Sequence, residues 1–108
     1  MEWDKKQFVE DVYALVRLVP AGRVTSYGAI AKALSQARQS RMVGYALNRC
    51  PDDVPAHRVV NRNGVLTGRA FFGGDRMAML LRAEGVTVKE NKVQSFKNFF
   101  WDPLLELQ

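Results

Sequence analysis

The 108 residues allow one domain, spanning 1–108, and a hydrophobic share of 47% suits one packed core. No stretch stays apolar long enough to span a membrane or form a secretory core, and the lone Cys50 excludes a disulfide framework or a thiolate zinc site. Sixteen Lys+Arg against eleven Asp+Glu leave a formal charge of +5, a balance that favours an anionic partner.

The first predicted element is a helix from about Lys5 to Val19, with Phe8, Val12, Leu15, Val16 and Val19 at helical spacing. Asp4 and Gln7 make a capping box, Trp3 and Phe8 a hydrophobic staple, and Pro20-Ala21-Gly22 a stop. Thr25 and Ser26 are N-cap residues for a short second helix through Leu34, whose small residues admit a close neighbour. A polar turn from Ser35 to Gln39 leads to a third helix, capped by Ser40 and running from Arg41 to about Arg49. Its Val43, Ala46 and Leu47 face inward. Two short helices joined by a tight polar turn, behind a longer one, read as a helix-turn-helix.

Cys50-Pro51-Asp52-Asp53 breaks the third helix. Apolar residues on both sides of Arg62-Asn63-Gly64 predict a β-hairpin, Ala56–Asn61 against Val65-Leu66, that would serve as a wing. A loop rich in Gly and Phe runs from Gly68 to Gly74. Asp75 then caps a helix that turns Met77, Leu80 and Leu81 to the core and stops at Glu84-Gly85. In the tail, Phe96, Phe99, Phe100 and Trp101 form an aromatic cluster suited to packing on that core. The expected fold class is mainly α, a winged helix-turn-helix domain with a small β-hairpin wing. Arginines crowd the middle (Arg23, Arg38, Arg41, Arg49, Arg58, Arg62, Arg69, Arg76), while Glu2, Asp4, Glu10, Asp11, Asp102 and Glu106 lie toward the ends. That asymmetry suits a polyanion lying across the central region.

Pro55-Ala56-His57-Arg58-Val59 resembles the Pro-Cys-His-Arg-Val active site of the O6-alkylguanine-DNA alkyltransferases, with alanine in place of cysteine. Val19 to Gly28 is similar to that family's Pro-x-Gly-x-Val-x-Ser-Tyr approach to the helix-turn-helix. Ser40 to Leu47 is similar to its recognition helix, and Ala83-Glu84-Gly85 to its closing His-Glu-Gly. Four motifs in the family's order cover nearly the whole chain. Loss of the cysteine marks the alkyltransferase-like proteins, whose fold would be that of the C-terminal domain of the DNA alkyltransferases.

The resemblance implies a protein that binds O6-alkylguanine in duplex DNA, turns the base into a pocket and flags it for nucleotide excision repair. Repair in the family moves an alkyl group from guanine O6 to a thiolate, formed with help from a histidine and a glutamate. His57 and Glu84 remain here and are expected as a buried, hydrogen-bonded pair, but the methyl group of Ala56 carries no lone pair. Without a nucleophile there is no transfer, so neither a catalytic residue nor an enzyme is expected. Tyr27, Val54, Pro55, Ala56 and Arg69 would line the lesion pocket, with Arg69 stacking on the guanine or donating hydrogen bonds to it. Thr25, Ser26, Tyr27, Arg41, Met42, Gly44, Asn61 and Arg62 would face DNA. Among these, Tyr27 would crowd a phosphate and rotate the nucleotide outward, and Arg41 would fill the space left behind. Gly44 and Ala46 suit a close approach in the minor groove.

No cofactor and no metal are expected. The expected partners are double-stranded DNA containing O6-alkylguanine and damage-recognition proteins of nucleotide excision repair, with the chain itself a monomer away from membranes. A reducing compartment is expected: cytoplasmic and nucleoid-associated in a bacterium, nuclear in a eukaryote.

Two other functions fit some of the same residues. A winged-helix transcription regulator would place Arg41, Asn48 and Arg49 on base edges in the major groove. The retained pocket segment and the lack of an obvious dimerisation helix weigh against it. An alkyltransferase with a displaced thiol would use Cys50, upstream of Ala56. Six extended residues reach up to roughly 20 Å, so spacing leaves that distance open. The resemblance puts Cys50 on the hinge side of the family pocket, where an asparagine is usual.

Overall fold

Helix α1 (Lys5–Arg17) opens the fold, and its boundaries follow from local chemistry. Asp4 accepts a hydrogen bond from the Gln7 amide at 3.1 Å, and the Trp3 and Phe8 rings lie 5.7 Å apart, so cap and staple both form. The capping box is half made, because the Gln7 side chain donates to Asp11 at 2.9 Å instead of reaching back. The helix stops at Arg17, short of the expected end, and Val19 is buried beyond it. The computed structural model describes residues 3–107; Glu2, one of the terminal acids, lies outside them.

Helices α2 (Tyr27–Ala33) and α3 (Ser40–Leu47) follow and pack with α1. Ser26 caps α2 by accepting from the Ala29 amide at 3.1 Å. Ser40 does not cap α3. It lies inside the helix, whereas a cap must stand just outside with non-helical backbone; Gln39 holds that place without a side-chain bond. Val43, Ala46 and Leu47 are buried as expected, and the Tyr13 hydroxyl donates to the Ala46 carbonyl at 2.8 Å, tying α1 to α3.

The wing differs from expectation. The Arg62-Asn63-Gly64 turn forms, with Asn61 Oδ1 accepting from the Asn63 and Val65 amides, each at 2.9 Å. The Asn61 amide also donates to the Val65 carbonyl across the turn at 3.0 Å, but beyond that pair the flanks are claimed elsewhere. Ala56–Arg58 is a 3-10 turn, and β2 (Val59–Val60) pairs in parallel with β1 (Thr25–Ser26). Val65 bridges to Lys92, and the Leu66 amide donates to the Asn91 carbonyl at 2.9 Å. Gly64 presses on the same strand: a Cβ there would stand 3.3 Å from the Val93 carbonyl, and its φ of +84° favours glycine. The hairpin that does form joins β3 (Val88–Lys89) to β4 (Lys92–Val93) through Glu90 and Asn91, both at positive φ, as a twisted two-residue turn requires.

Between these lie α4 (Arg69–Phe72), inside the stretch expected as loop, and α5 (Arg76–Ala83). Asp75 precedes α5 but makes no side-chain cap bond. Met77 and Leu81 are buried, Leu80 only partly, and Gly85 ends the turn at φ +90°. Short helices α6 (Phe96–Phe99) and α7 (Pro103–Glu106) close the chain. The tail is held by main chain: Val24 donates to Phe99 at 2.9 Å and accepts from Trp101 at 2.7 Å. Trp101 is buried, and Phe96 and Phe99 pack on the core as the aromatic cluster suggested. No helix among the described residues is long and apolar enough to cross a membrane.

Among the described residues the fold is mainly helical with two small sheets. β2 decides how the core divides. Successive strand residues point to opposite faces, so Val59 joins a cluster under α1, α2 and α3, while Val60 joins one built on Leu66, Met77 and Leu81. The segment just before β2 is thereby fixed between two cores. Each fully buried valine there contributes on the order of 1.5–3 kcal/mol to holding it.

Candidate nucleic-acid interface

Ala56 begins the 3-10 turn that leads into β2, and it is 7% exposed. Its methyl group joins the first core cluster and borders a cavity of about 640 Å³. Val54, Pro55 and His57 line that cavity beside it; Cys50, Asp52 and Asp53 bound it from the end of α3, and Phe71, Phe72 and Arg76 from α4 and α5. Asp53 is drawn to the rim by Arg17, at 2.8 Å and 3.3 Å, and that guanidinium lowers its pKa. Burial pushes the Cys50 thiol up, which makes a thiolate harder to form there.

The expected His57–Glu84 pair is part of a larger arrangement. Glu84 is gripped at both oxygens by Arg58, at 3.0 Å and 2.6 Å, while the third arm of Arg58 donates to the Val19 carbonyl at 2.9 Å. His57 Nε2 lies 3.1 Å from Glu84 Oε1, so the expected pair is in contact, but out of alignment, which leaves its hydrogen bond poorly formed. Arg58 holds the Glu84 carboxyl below its ordinary pKa, and burial does the same to the His57 ring. At neutral pH the site therefore contains a carboxylate, a guanidinium and a neutral imidazole. The sequence reading counts Arg58 with the central arginines that suit a polyanion; the structure instead spends it inside the fold, on Glu84 and the Val19 carbonyl.

A second, shallower cleft of about 330 Å³ opens along α3. Tyr27 from α2, Arg41, Gly44 and Asn48 from the α3 side, and Thr67 with Gly68 border it. Arg41 is exposed and also bounds the neighbouring hollow with Arg38 and Met42. Tyr27, Arg41, Met42 and Gly44 are thus brought together on one side of the molecule. Thr25 and Ser26 do not line this cleft. Both side chains are buried, the threonine wholly, because they pair with β2 and cap α2. Asn61 uses its carboxamide oxygen within its own turn, and neither Asn61 nor Arg62 lines the cleft.

Of the residues expected around the lesion, Val54, Pro55 and Ala56 share the deep cavity, whereas Tyr27 lines the shallow cleft. Arg69 lines neither; it is exposed on α4, where Nη1 donates to the Leu66 carbonyl at 3.0 Å. Phe71, Phe72 and Arg76 were missed, because the positive-φ pair Gly73-Gly74 folds α4 and α5 onto the cavity in a way no local pattern signals. Among the described residues no group of three or more His, Cys, Asp and Glu side chains could hold a metal ion.

The family model of the 6-O-methylguanine DNA methyltransferase DNA-binding domain matches residues 7–86. The chain belongs to that family, on its alkyltransferase-like side. The DNA base-flipping protein of Escherichia coli is 36% identical over 99 residues, 88% of this chain and 74% of that one. Alkyltransferase-like protein 1 of Schizosaccharomyces pombe is 31% identical over 104 residues, 90% and 96% of the two chains. The methylated-DNA–protein-cysteine methyltransferase of Methanosarcina acetivorans is 42% identical over 81 residues, but the match spans only 51% of its length. Among solved structures, Schizosaccharomyces pombe Atl1 in complex with damaged DNA containing O6-carboxymethylguanine superposes with a TM-score of 0.81 at 29% identity, covering 95% of this chain and all of that one.

Proposed function

We propose that this protein is a non-enzymatic sensor of O6-alkylguanine in duplex DNA. It turns the damaged base out of the helix, holds it over Ala56, and marks the site for nucleotide excision repair. Acting as a monomer, it presents the α3 side to the minor groove and hands the bent duplex to damage-recognition proteins. The carrying observation is a buried methyl group at the wall of a cavity of about 640 Å³, beside the His57–Glu84–Arg58 arrangement. Names of the relatives support this reading: a base-flipping protein, and an alkyltransferase-like protein with a solved complex on damaged DNA.

Extruding a base costs a few kcal/mol of stacking and pairing. Arg41 offsets part of that by entering the gap, and Tyr27 crowds the phosphate of the rotating nucleotide. Met42 and Gly44 lie against the groove between them. Arg69, which borders neither cavity as it stands, leaves the Leu66 carbonyl and swings from α4 to the face or edge of the extruded purine.

One observation favours a second reading: Cys50 borders the same cavity as Ala56, so a displaced thiol shares the space that would hold the alkyl group. Its raised pKa argues against that role. Incubation with duplex containing O6-methylguanine separates the two. The sensor binds methylated duplex more tightly than matched undamaged duplex at fixed salt, and its intact mass is unchanged. A gain of one methyl group per chain would replace the sensor with a transferase.

A further inference from the structure

We propose that Gly68 is a positioning residue for Tyr27, fixing its hydroxyl against the turn that carries Arg69. The proposal rests on the reading of Tyr27 as the residue that rotates the nucleotide.

Gly68 is not a glycine for backbone reasons. Its φ of −85° and ψ of 5° are open to any residue. It also occupies the cap position of α4, where Ser, Asn or Asp would ordinarily be preferred. What glycine supplies here is room. A Cβ on residue 68 would stand 3.0 Å from Tyr27 Oη, tighter than ordinary van der Waals contact. No other atom outside its chain neighbours lies within 4 Å, so any side chain at 68 meets that oxygen first.

The comparison with Gly44 sharpens the point. A Cβ at 44 would meet the same tyrosine ring at 3.9 Å and 4.0 Å, which is ordinary contact. Tyr27 is thus bracketed by two glycines, one with space to spare and one without. A methyl group at 68 must move the hydroxyl by a few tenths of an ångström or displace the turn. That turn is itself shared with Arg69, whose amide and Nη1 both donate to the Leu66 carbonyl, at 3.3 Å and 3.0 Å. The turn that holds Arg69 is therefore the one that the Tyr27 hydroxyl meets, and Gly68 is the point of approach.

A double-mutant cycle tests this, read as the lesion-dependent fluorescence rise of a base analogue beside O6-methylguanine. Gly68→Ala in the native background should cut that rise about fivefold to tenfold, since overpacking and coupled neighbours act on this scale. Tyr27→Phe sets its own baseline and removes the oxygen that a methyl group would meet. In that background Gly68→Ala should change the signal by less than about twofold. An equal loss in both backgrounds, whether from unfolding or from another contact, would overturn the proposal. So would an undiminished signal in Gly68→Ala alone. Tyr27→Ala separates this from the underlying reading: if it keeps the full rise, Tyr27 does not rotate the nucleotide and both ideas fall together.

Discussion

Arg58 and Arg41 carry the same guanidinium on two sides of one site, and the fold treats them in opposite ways. Arg58 is half-buried and commits three nitrogens, two to Glu84 and one to the Val19 carbonyl. Arg41 stands exposed at the start of α3, where two shallow hollows meet. A guanidinium whose donors are spent inside the protein fixes geometry; one left in water keeps its donors for a ligand. The Arg58 side, next to the His57 that lines the cavity, is accordingly built in advance, while the Arg41 side keeps its donors for a ligand. The two regions should then fail differently when cut, one in stability and the other in recognition.

The largest effect is expected on the Arg58 side. Glu84→Gln removes the charge that Arg58 and His57 both face and leaves a guanidinium poorly matched in a partly buried place. The expected loss is about 3 kcal/mol, the low end for removing one partner of a buried pair. For a chain of this size that lowers Tm by roughly 12–24 °C. Arg41→Ala should shift Tm by less than about 4 °C, as an exposed substitution does. Thermal melts of the two variants side by side decide the matter, and equal shifts would erase the distinction between scaffold and recognition.

Much of this was legible in the chain. Helical spacing, the Asp4 cap, the Trp3–Phe8 staple and the three-helix arrangement all follow from nearest neighbours. The wing was misread because Asn63-Gly64 is a strong local signal that says nothing about which strands its flanks prefer. Val59-Val60 held the counter-signal: two adjacent valines, both wholly buried, suit a strand covered on both faces, where a wing would alternate. Thr25 and Ser26 were assigned to DNA by motif, yet the same strand pairing that buries Val59 buries them. Arg58 and Glu84 are 26 residues apart, so only the tertiary fold brings fork to carboxylate.

On the recognition side, Arg41→Ala should weaken binding to damaged and undamaged duplex alike by about 1–3 kcal/mol, the scale of a contact stacked on a base. The inserted side chain would stabilise the gap whichever base had left it. A fluorescent base analogue at the site should lose its rise on binding. An unchanged rise would place some other group in the gap and remove Arg41 from the comparison.

Arg69 is the intermediate case, exposed like Arg41 yet already donating to one carbonyl of its own turn. Arg69→Ala should cost about 1 kcal/mol in the lesion complex and little on undamaged DNA. A guanine alkylated at O6 has lost its N1 proton, so a nearby cation meets altered electrostatics while the phosphates stay the same. Arg69→Phe keeps a stacking surface and discards the charge, which separates the two contributions. Equal weakening on both duplexes would make Arg69 a phosphate contact.

The smallest effect is the pH dependence of the Arg58 side, to which Asp53, paired with Arg17, adds only in the carboxylate range. His57 is the chain's one histidine, and burial lowers its pKa in the folded state. The unfolded chain therefore takes up its proton first, near pH 6.5, and stability declines as pH falls below that value. At pH 6 the decline from the high-pH plateau is bounded at about 0.8 kcal/mol, the limit for one group that takes up a proton only in the unfolded chain. Glu84 behaves as a depressed carboxylate: its contribution is present above the ordinary range near pH 4.3 and is lost as pH falls through the lower folded value. Urea melts from pH 8 to roughly pH 2 should show both steps. His57→Ala should abolish the first and keep the second, and Arg41→Ala should keep both. A native profile that stays flat from pH 7 to pH 5 would mean that the folded protein accepts a proton on His57 as readily as the unfolded chain does. Burial would then not hold the ring neutral, and the preformed wall behind Ala56 would be looser than its Arg58–Glu84 contacts imply.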